Sequence, residues 1–367
     1  MNQNKDQNSR ERIPAGKITK KDSEKKVLVA GFVHEVRLLG KIAFVVLRDF
    51  TGTIQLTAIK NQTPEETFNR IKQLTHETVI QATGTVKANP QAPNGVEILL
   101  EEIKILVKAE PLPITVQEKG IKIGLDKRLD YRCIDLRKPE NRAVFVIQNA
   151  IVDGFVQYFS KNGFTRVFTP CIIGSSSESG ADVFEIKYFK TKAYLRQDPQ
   201  LHRQLTIAGG FERIYEIGPS WRAELSHTTK HLCEHRSCAA EIAYIKDETD
   251  TMRIEEQLVI SALKNVKEKC KQELDLLGIK ITIPEAPFPE LRFPEIYDIL
   301  KSLGKELPEG SDIDTESEKL LAEYIRKKHK TEFFFINRFP FAIKPFYVMR
   351  VDEQPTYARS VDFYFGE

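Results

Sequence analysis

Cysteine is scarce: five thiols in 367 residues, Cys133, Cys171, Cys233, Cys238 and Cys270, at irregular spacing. That excludes a disulfide-stapled secreted scaffold and fits reduced thiols in a cytoplasmic protein. There is no apolar run of the roughly eighteen residues a transmembrane helix needs, so no membrane partner is expected. The first residues, MNQNKDQNSRERIPAGKITKKDSEKK, have no apolar stretch of the kind a signal peptide carries. A net charge of +3 is too small to imply nucleic-acid binding by itself. No internal repeat is visible. What remains, 41% apolar and 29% charged residues, is a globular composition with length for about two or three domains.

Residues 1–25 read as a flexible basic arm; the first 26 carry eight Lys/Arg against four Asp/Glu. Such an arm is either a solubilising end or a segment that touches RNA. Residues 26–110 alternate as strands: KVLVAGFVHEVR, KIAFVVLRD, TGTIQLTAI, ETVIQATGTVKA and GVEILLEEIKILV, with the helical PEETFNRIKQL after the third. Five strands with a helix in that place predict an OB-fold β-barrel, a common binder of single-stranded nucleic acid. Residues 111–140, rich in charge and turn formers, read as a linker. From 141 to 367 helices alternate with strands. The helices are AVFVIQNAIVDGFVQYFSKNG, PQLHRQLTIAGG, a long one through TMRIEEQLVISALKNVKEKCKQELDLLG, PEIYDILKSLG and ESEKLLAEYIRKKH. The strands are FTRVFTPCII, interrupted by Pro170, then DVFEIKYF, KAYLR, FERIYEIG, TEFFFINRF, AIKPFYVMR and SVDFYF. This is an α+β domain around a largely antiparallel sheet.

One pair stands out in GPSWRAE, Arg222 and Glu224. One residue apart on a strand they share a face, and they can grip a phosphorylated ligand or form a solvated ion pair on a hairpin. Four residues nearby, His231, Cys233, His235 and Cys238, invite a zinc reading. The spacing matches none of the usual structural zinc patterns, which separate ligand pairs more widely, so no metal site is expected there.

KNGFTRVFTPCII, with Pro170, resembles the first signature of the class II aminoacyl-tRNA synthetases, and FERIYEIGPSWRAE with HLCEHRSCAAEIAYI resembles the second. RLDYRCIDLRKPE, SESGADVFEIKYFKTKAYL and PQLHRQ resemble the aspartyl-tRNA synthetases of the archaeal and eukaryotic kind, and GFVHEVRLLGKIAFVVLRDFTG resembles their anticodon-binding domain. The resemblance runs from about residue 12 onward. It implies ATP-dependent attachment of aspartate to tRNA through an aspartyl-adenylate, with Mg2+ as cofactor and a homodimer as the working form.

Adenylate formation joins two anions, a carboxylate and the α-phosphate of ATP, so positioning and charge neutralisation dominate. Arginine suits this task, being planar and permanently charged. The resemblance puts Arg222 on the α-phosphate and the substrate carboxylate, Glu224 at the adenine end, His231 on the outer phosphates and His235 against adenine. It places Glu178, Asp198, Gln200 and Arg203 in the amino-acid pocket. Anticodon bases would stack on Phe44 and be read by Gln55 and Glu97, with Arg37 near the backbone. Without the resemblance Phe44 reads as a core residue and Gln55 as an ordinary exposed one. The helix from 143 and Pro170 would form the dimer contact.

The sequence also departs from the family. Ala239 stands where an aspartate receives the substrate ammonium; Asp198 and Arg203 replace a serine and a lysine; Glu178-Ser179-Gly180 replaces Glu-Gly-Gly. Asp198 either takes over the ammonium contact or pairs with Arg203 and fills the pocket. The family runs on past SVDFYFGE into a magnesium glutamate, a Gly-Gln-Arg segment and the third signature. Loss of one preorganised donor costs about 10² to 10³ in rate. These residues alone are therefore expected not to charge tRNA at a useful rate, and a non-catalytic, tRNA-binding, dimerising paralogue is the alternative to an aspartate–tRNA ligase. A third use of the fold, asparagine synthesis, is disfavoured by the OB domain.

Overall fold

A computed structural model describes residues 11–116, 123–175, 183–225, 232–345 and 347–366. The chain divides into two compact units, Met1–Lys138 and Pro139–Glu367.

In the first unit β1 (Lys26–Leu39), β2 (Ile42–Asp49), β3 (Gly52–Ile59), β4 (Val79–Ala88) and β5 (Val96–Val107) close into a barrel in the order β1-β2-β3-β5-β4. The period of two explains it: Ala43, Val45 and Leu47, then Ile54, Leu56 and Ala58, then Val96, Ile98 and Leu100 all point inward and are buried together. α1 (Glu65–Ile71) adds Phe68 and Ile71 to that core. Gly84 is required by a close approach: a Cβ there would stand 2.1 Å from the Leu99 carbonyl oxygen. The β4–β5 register shifts at this point, where the strand bends.

Residues 12–25, expected to belong to a flexible arm, are docked on the barrel instead. Ala15 and Ile18 join the barrel core. Asp49 accepts from Arg12 Nη2 at 2.9 Å and from the Ala15 N–H at 2.8 Å. Burial pushes the Asp49 carboxyl up, but hydrogen bonds from Thr51, Ala15 and Arg12 together hold it below its ordinary value. The charges of this segment thus anchor it, which a count of basic residues could not reveal. Within the stretch read as a linker, α2 (Leu125–Asp130) and α3 (Arg132–Asp135) form and belong to the barrel unit. Glu77, 2% exposed, accepts both hydrogen bonds of Arg48 Nη2 at 2.8 Å and one from Arg137 Nη1 at 2.9 Å, tying the stretch to the barrel.

In the second unit α4 (Pro139–Lys161) is followed by β6 (Thr165–Arg166), β7 (Ile172–Ile173), β8 (Glu185–Tyr188), β9 (Thr191–Leu195), α5 (Gln200–Ala208), β10 (Arg213–Trp221) and β11 (Glu234–Ile242). Then come α6 (Glu248–Lys269), α7 (Lys271–Leu277), β12 (Glu290–Arg292), α8 (Glu295–Ser302), α9 (Thr315–His329), β13 (Phe333–Asn337), β14 (Arg350–Val351), β15 (Gln354–Ala358) and β16 (Val361–Phe365). The α+β reading holds, with the sheet distributed: among the described residues the strands group as β11-β10-β6, β7-β9-β8, β12-β13-β16 and β14-β15, with β6/β10 and β12/β13 parallel.

Three segments differ from expectation. FTRVFTPCII supplies two short strands in separate sheets, because Pro170 interrupts the run. The long helix breaks at Cys270 (φ −113, ψ 34), and both parts pack on α4 through Val266, Cys270 and Leu274. In AIKPFYVMR, Ala342 and Ile343 complete a 3-10 turn that starts at Phe341, and among the described residues only Arg350 enters a strand; Pro345 cannot donate to a ladder. The helix pair α4/α6 approaches closely at Gly154, where a Cβ would lie 2.6 Å from the Ala262 Cα, and Ser261 Oγ donates to the Gly154 carbonyl at 3.0 Å.

Candidate active site and nucleic-acid face

β10 and β11 pair over nine residues, and their two faces have different chemistry. Tyr215, Ile217, Cys238, Ala240 and Ile242 pack with Phe159 and Phe164 of the core; the Tyr215 and Phe159 rings stack with centroids 4.3 Å apart. By alternation the other face carries Glu216, Gly218 and Ser220 opposite Ala239, Ser237 and His235. Arg222 continues the ladder beyond the end of β10, its N–H donating to the Cys233 carbonyl at 3.0 Å. It is half-buried, as are Glu224 and His235. Arg222 and Glu224 do not lie on one strand as expected: β10 ends at Trp221, and the Glu224 N–H donates to the Arg222 carbonyl at 2.8 Å, which turns the chain between them.

The expected pocket residues Asp198 and Arg203 pair. Arg203, 4% exposed, donates through Nη2 to Asp198 at 2.9 Å and through Nε to Glu241 at 3.2 Å. Its Nη1 is buried without a hydrogen-bond partner among the described residues. Burial raises the Glu241 carboxyl above its ordinary value, against the opposing charge of Arg203. Gln200, the first residue of α5, is half-buried.

Sequence reasoning missed three members of this floor. Glu241 sits two residues along β11 from Ala239. Arg196, 1% exposed, lies beside β10; Nε donates to the Pro219 carbonyl at 2.6 Å, and Nη1 donates to Glu216 at 2.8 Å and Thr169 Oγ1 at 2.6 Å. Glu216 also accepts from Thr169 Oγ1 at 2.7 Å. The available signal was an unusual run of charge, Arg196, Asp198 and Arg203, next to an apolar strand.

Of the four residues read for zinc, His231 lies outside the described residues, and Cys233, His235 and Cys238 form no ligand group. Cys238 lies on the core face, its thiol pushed up to about 12 by burial, whereas Cys233 is exposed beyond the other end of the strand. Among the described residues no group of three or more His, Cys, Asp or Glu is placed to hold a metal. Glu178 and His231 lie outside the described residues. Pro170 is exposed, and so are Val144, Phe168 and Ile172.

On the barrel, the expected nucleic-acid residues share its outer surface. Arg37 is opposite Phe44 on β1/β2, Phe44 is opposite Thr57 on β2/β3, and Gln55 is opposite Glu97 on β3/β5. Phe44 is half-buried and points away from the core positions Ala43 and Val45, so it is not a core residue. Gln55 Nε2 donates to Glu97 Oε2 at 3.0 Å, and Arg37 forms a two-fold pair with Glu35 at 2.7 and 2.6 Å.

Residues 124–367 match the family model described as tRNA synthetases class II (D, K and N), and residues 27–106 match the OB-fold nucleic acid binding domain. The aspartate–tRNA(Asp) ligase of Pyrococcus abyssi is 40% identical over 349 residues, covering 95% of this chain and 80% of the relative. That of Thermococcus kodakarensis is 41% identical with the same coverage. The crystal structure of asparaginyl-tRNA synthetase from Pyrococcus horikoshii complexed with asparaginyl-adenylate superposes with a TM-score of 0.89 at 30% identity, covering 97% of this chain and 81% of that one. The match spans the catalytic-type unit and gives no support to the non-catalytic alternative.

Proposed function

Because the chain belongs to the class II tRNA synthetases of the D, K and N group and is aspartyl-tRNA synthetase-like, we propose that it activates aspartate with ATP on the polar face of β10–β11 and transfers it to a tRNA bound through the barrel. The face that carries Glu216, Gly218 and Ser220 and runs into Arg222 supports this reading best, because it is polar while its reverse is packed with apolar side chains.

In this reading Arg222 neutralises the carboxylate and α-phosphate as they approach, the interaction that grows most toward the transition state. Glu224, past the bend after β10, takes the adenine end, with His235 against the ring and His231 on the outer phosphates, as the resemblance implies. Glu178, Gln200 and Asp198 border the amino-acid pocket. The magnesium that the resemblance implies finds no three-ligand donor set among the described residues, and no step is routed through it. Arg37, Phe44, Gln55 and Glu97 form the anticodon face, where stacking on Phe44 contributes about 1–3 kcal/mol per base. A homodimer would cover Pro170 and the exposed Val144, Phe168 and Ile172. Among the described residues no helix is long and apolar enough to cross a membrane, and a cytoplasmic location agrees with this role.

The departures from the family set the opposite expectation, that these residues alone charge no tRNA at a useful rate, and charging of tRNA with radiolabelled aspartate decides between the two. Phe44→Ala is expected to raise the KM for tRNA by roughly tenfold. Absence of charging by the wild-type chain, or an unchanged KM in the variant, contradicts the assignment.

A further inference from the structure

Two arginines stand on the floor of the site, and their charges are balanced differently. Arg203 is held between Asp198 and Glu241, so its positive charge is met by two carboxylates. Its remaining nitrogen, Nη1, is buried and lacks a partner among the described residues, but it stands in a cluster of two acids. This cluster cannot attract a further carboxylate; its sum is one negative charge when both acids are ionised. Arg196 faces the single carboxylate of Glu216. Its Nε and Nη1 are used, while Nη2 has no hydrogen-bond partner among the described residues. Nη2 is laid over Gly218, where an added Cβ would stand 2.5 Å from it. Two residues further along the same face, the Ser220 hydroxyl is fully buried and also lacks a partner. Buried donors are rarely left unmet, so the Ser220 hydroxyl, with the unbonded Arg196 Nη2 on the same face, calls for an acceptor from outside the chain.

We propose that Arg196 Nη2, assisted by Ser220 Oγ, binds the side-chain carboxylate of the amino-acid substrate, and that Gly218 is glycine to leave room for this guanidinium. Arg203 is a structural member of the floor that holds Asp198 and Glu241 in place. The departures at 198 and 203 therefore move the specificity contact from α5 to the residue after β9. The inference rests on the assignment of this face to amino-acid activation and names its side-chain determinant.

The experiment is titration calorimetry of aspartate, asparagine and ATP into the full chain, with fluorescence of Trp221, the chain's single tryptophan, as a second readout. Trp221 adjoins the site, its N–H donating to the Arg196 carbonyl at 3.0 Å. Gly218→Ala pushes Nη2 aside, and Arg196→Met removes the charge. Both are expected to weaken aspartate by about tenfold or more, the size of one charge-assisted hydrogen bond. Binding of ATP should change less than about twofold, and the preference for aspartate over asparagine should fall. A purely structural role would weaken aspartate, asparagine and ATP together, and that result overturns the proposal. If Arg196→Met does not fold, Gly218→Ala decides. If wild type binds aspartate and the variants bind it equally well, the inference alone falls. If wild type binds no aspartate, the assignment of the site falls with it.

Discussion

Glu255 on α6 is pushed up to about 7, first by burial and then by the neighbouring carboxylate of Asp362. In the folded chain it keeps its proton over a range where the unfolded chain has released it. Its contribution therefore favours folding at low pH and is lost as the pH climbs from the ordinary glutamate range through about 7. Glu255→Gln is expected to flatten this decline, so that thermal melts at pH 5 and pH 8 lie closer together than for wild type. A variant that loses as much stability across that interval would show that the group is not the cause. The same residue scale sets what the sequence could and could not disclose. Arg222 and Glu224 drew notice as candidates from their motif, while the turn that separates them was not legible in it. Arg196 and Glu241 were not, because their importance comes from what the fold sets beside them: Glu216 and Gly218 for one, Arg203 for the other. Asp198 was legible as an anomaly, and the structure resolves it as a partner of Arg203.

Elements were legible wherever periodicity was strong and local. The five barrel strands follow from inward Val, Ile and Leu at every second position, and α8 and α9 from apolar residues at helical spacing. Short strands beside prolines were legible only in part: the interruption at Pro170 shows in the sequence but not the parting of its two sides into separate sheets, and Pro345 ends pairing that the apolar pattern alone would continue. The break at Cys270 was hidden for another reason: helical periodicity persists through it, and packing on α4 decides the outcome. Two predictions belong to this scale. Removing the carboxylate of Glu77 leaves Arg48 buried without its charge partner, so Glu77→Ala is expected to cost about 3–5 kcal/mol in urea unfolding of the barrel unit. A cost near zero would mean that the cluster contributes nothing net. Gly154→Val, which drives a side chain into Ala262 where α4 meets α6, is expected to cost on the order of 1–3 kcal/mol or more. A neutral effect would show that the helices separate freely.

At the scale of the molecule, the proposed reading gives tRNA recognition to a barrel with a polar-aromatic outer face and amino-acid activation to a sheet with one polar face. The order of the two units and their types were legible from the sequence; the docking of residues 12–25 was not, because a basic, polar segment gives no sign of the single buried carboxylate, Asp49, that receives it. The measurement that bears most directly on the account is aspartate-dependent exchange of pyrophosphate into ATP by the full chain, wild type beside Arg222→Ala. Exchange that requires aspartate and falls by about 10² to 10³ in the variant is the expected result. No aspartate-dependent exchange, or exchange that survives the loss of Arg222 undiminished, contradicts it.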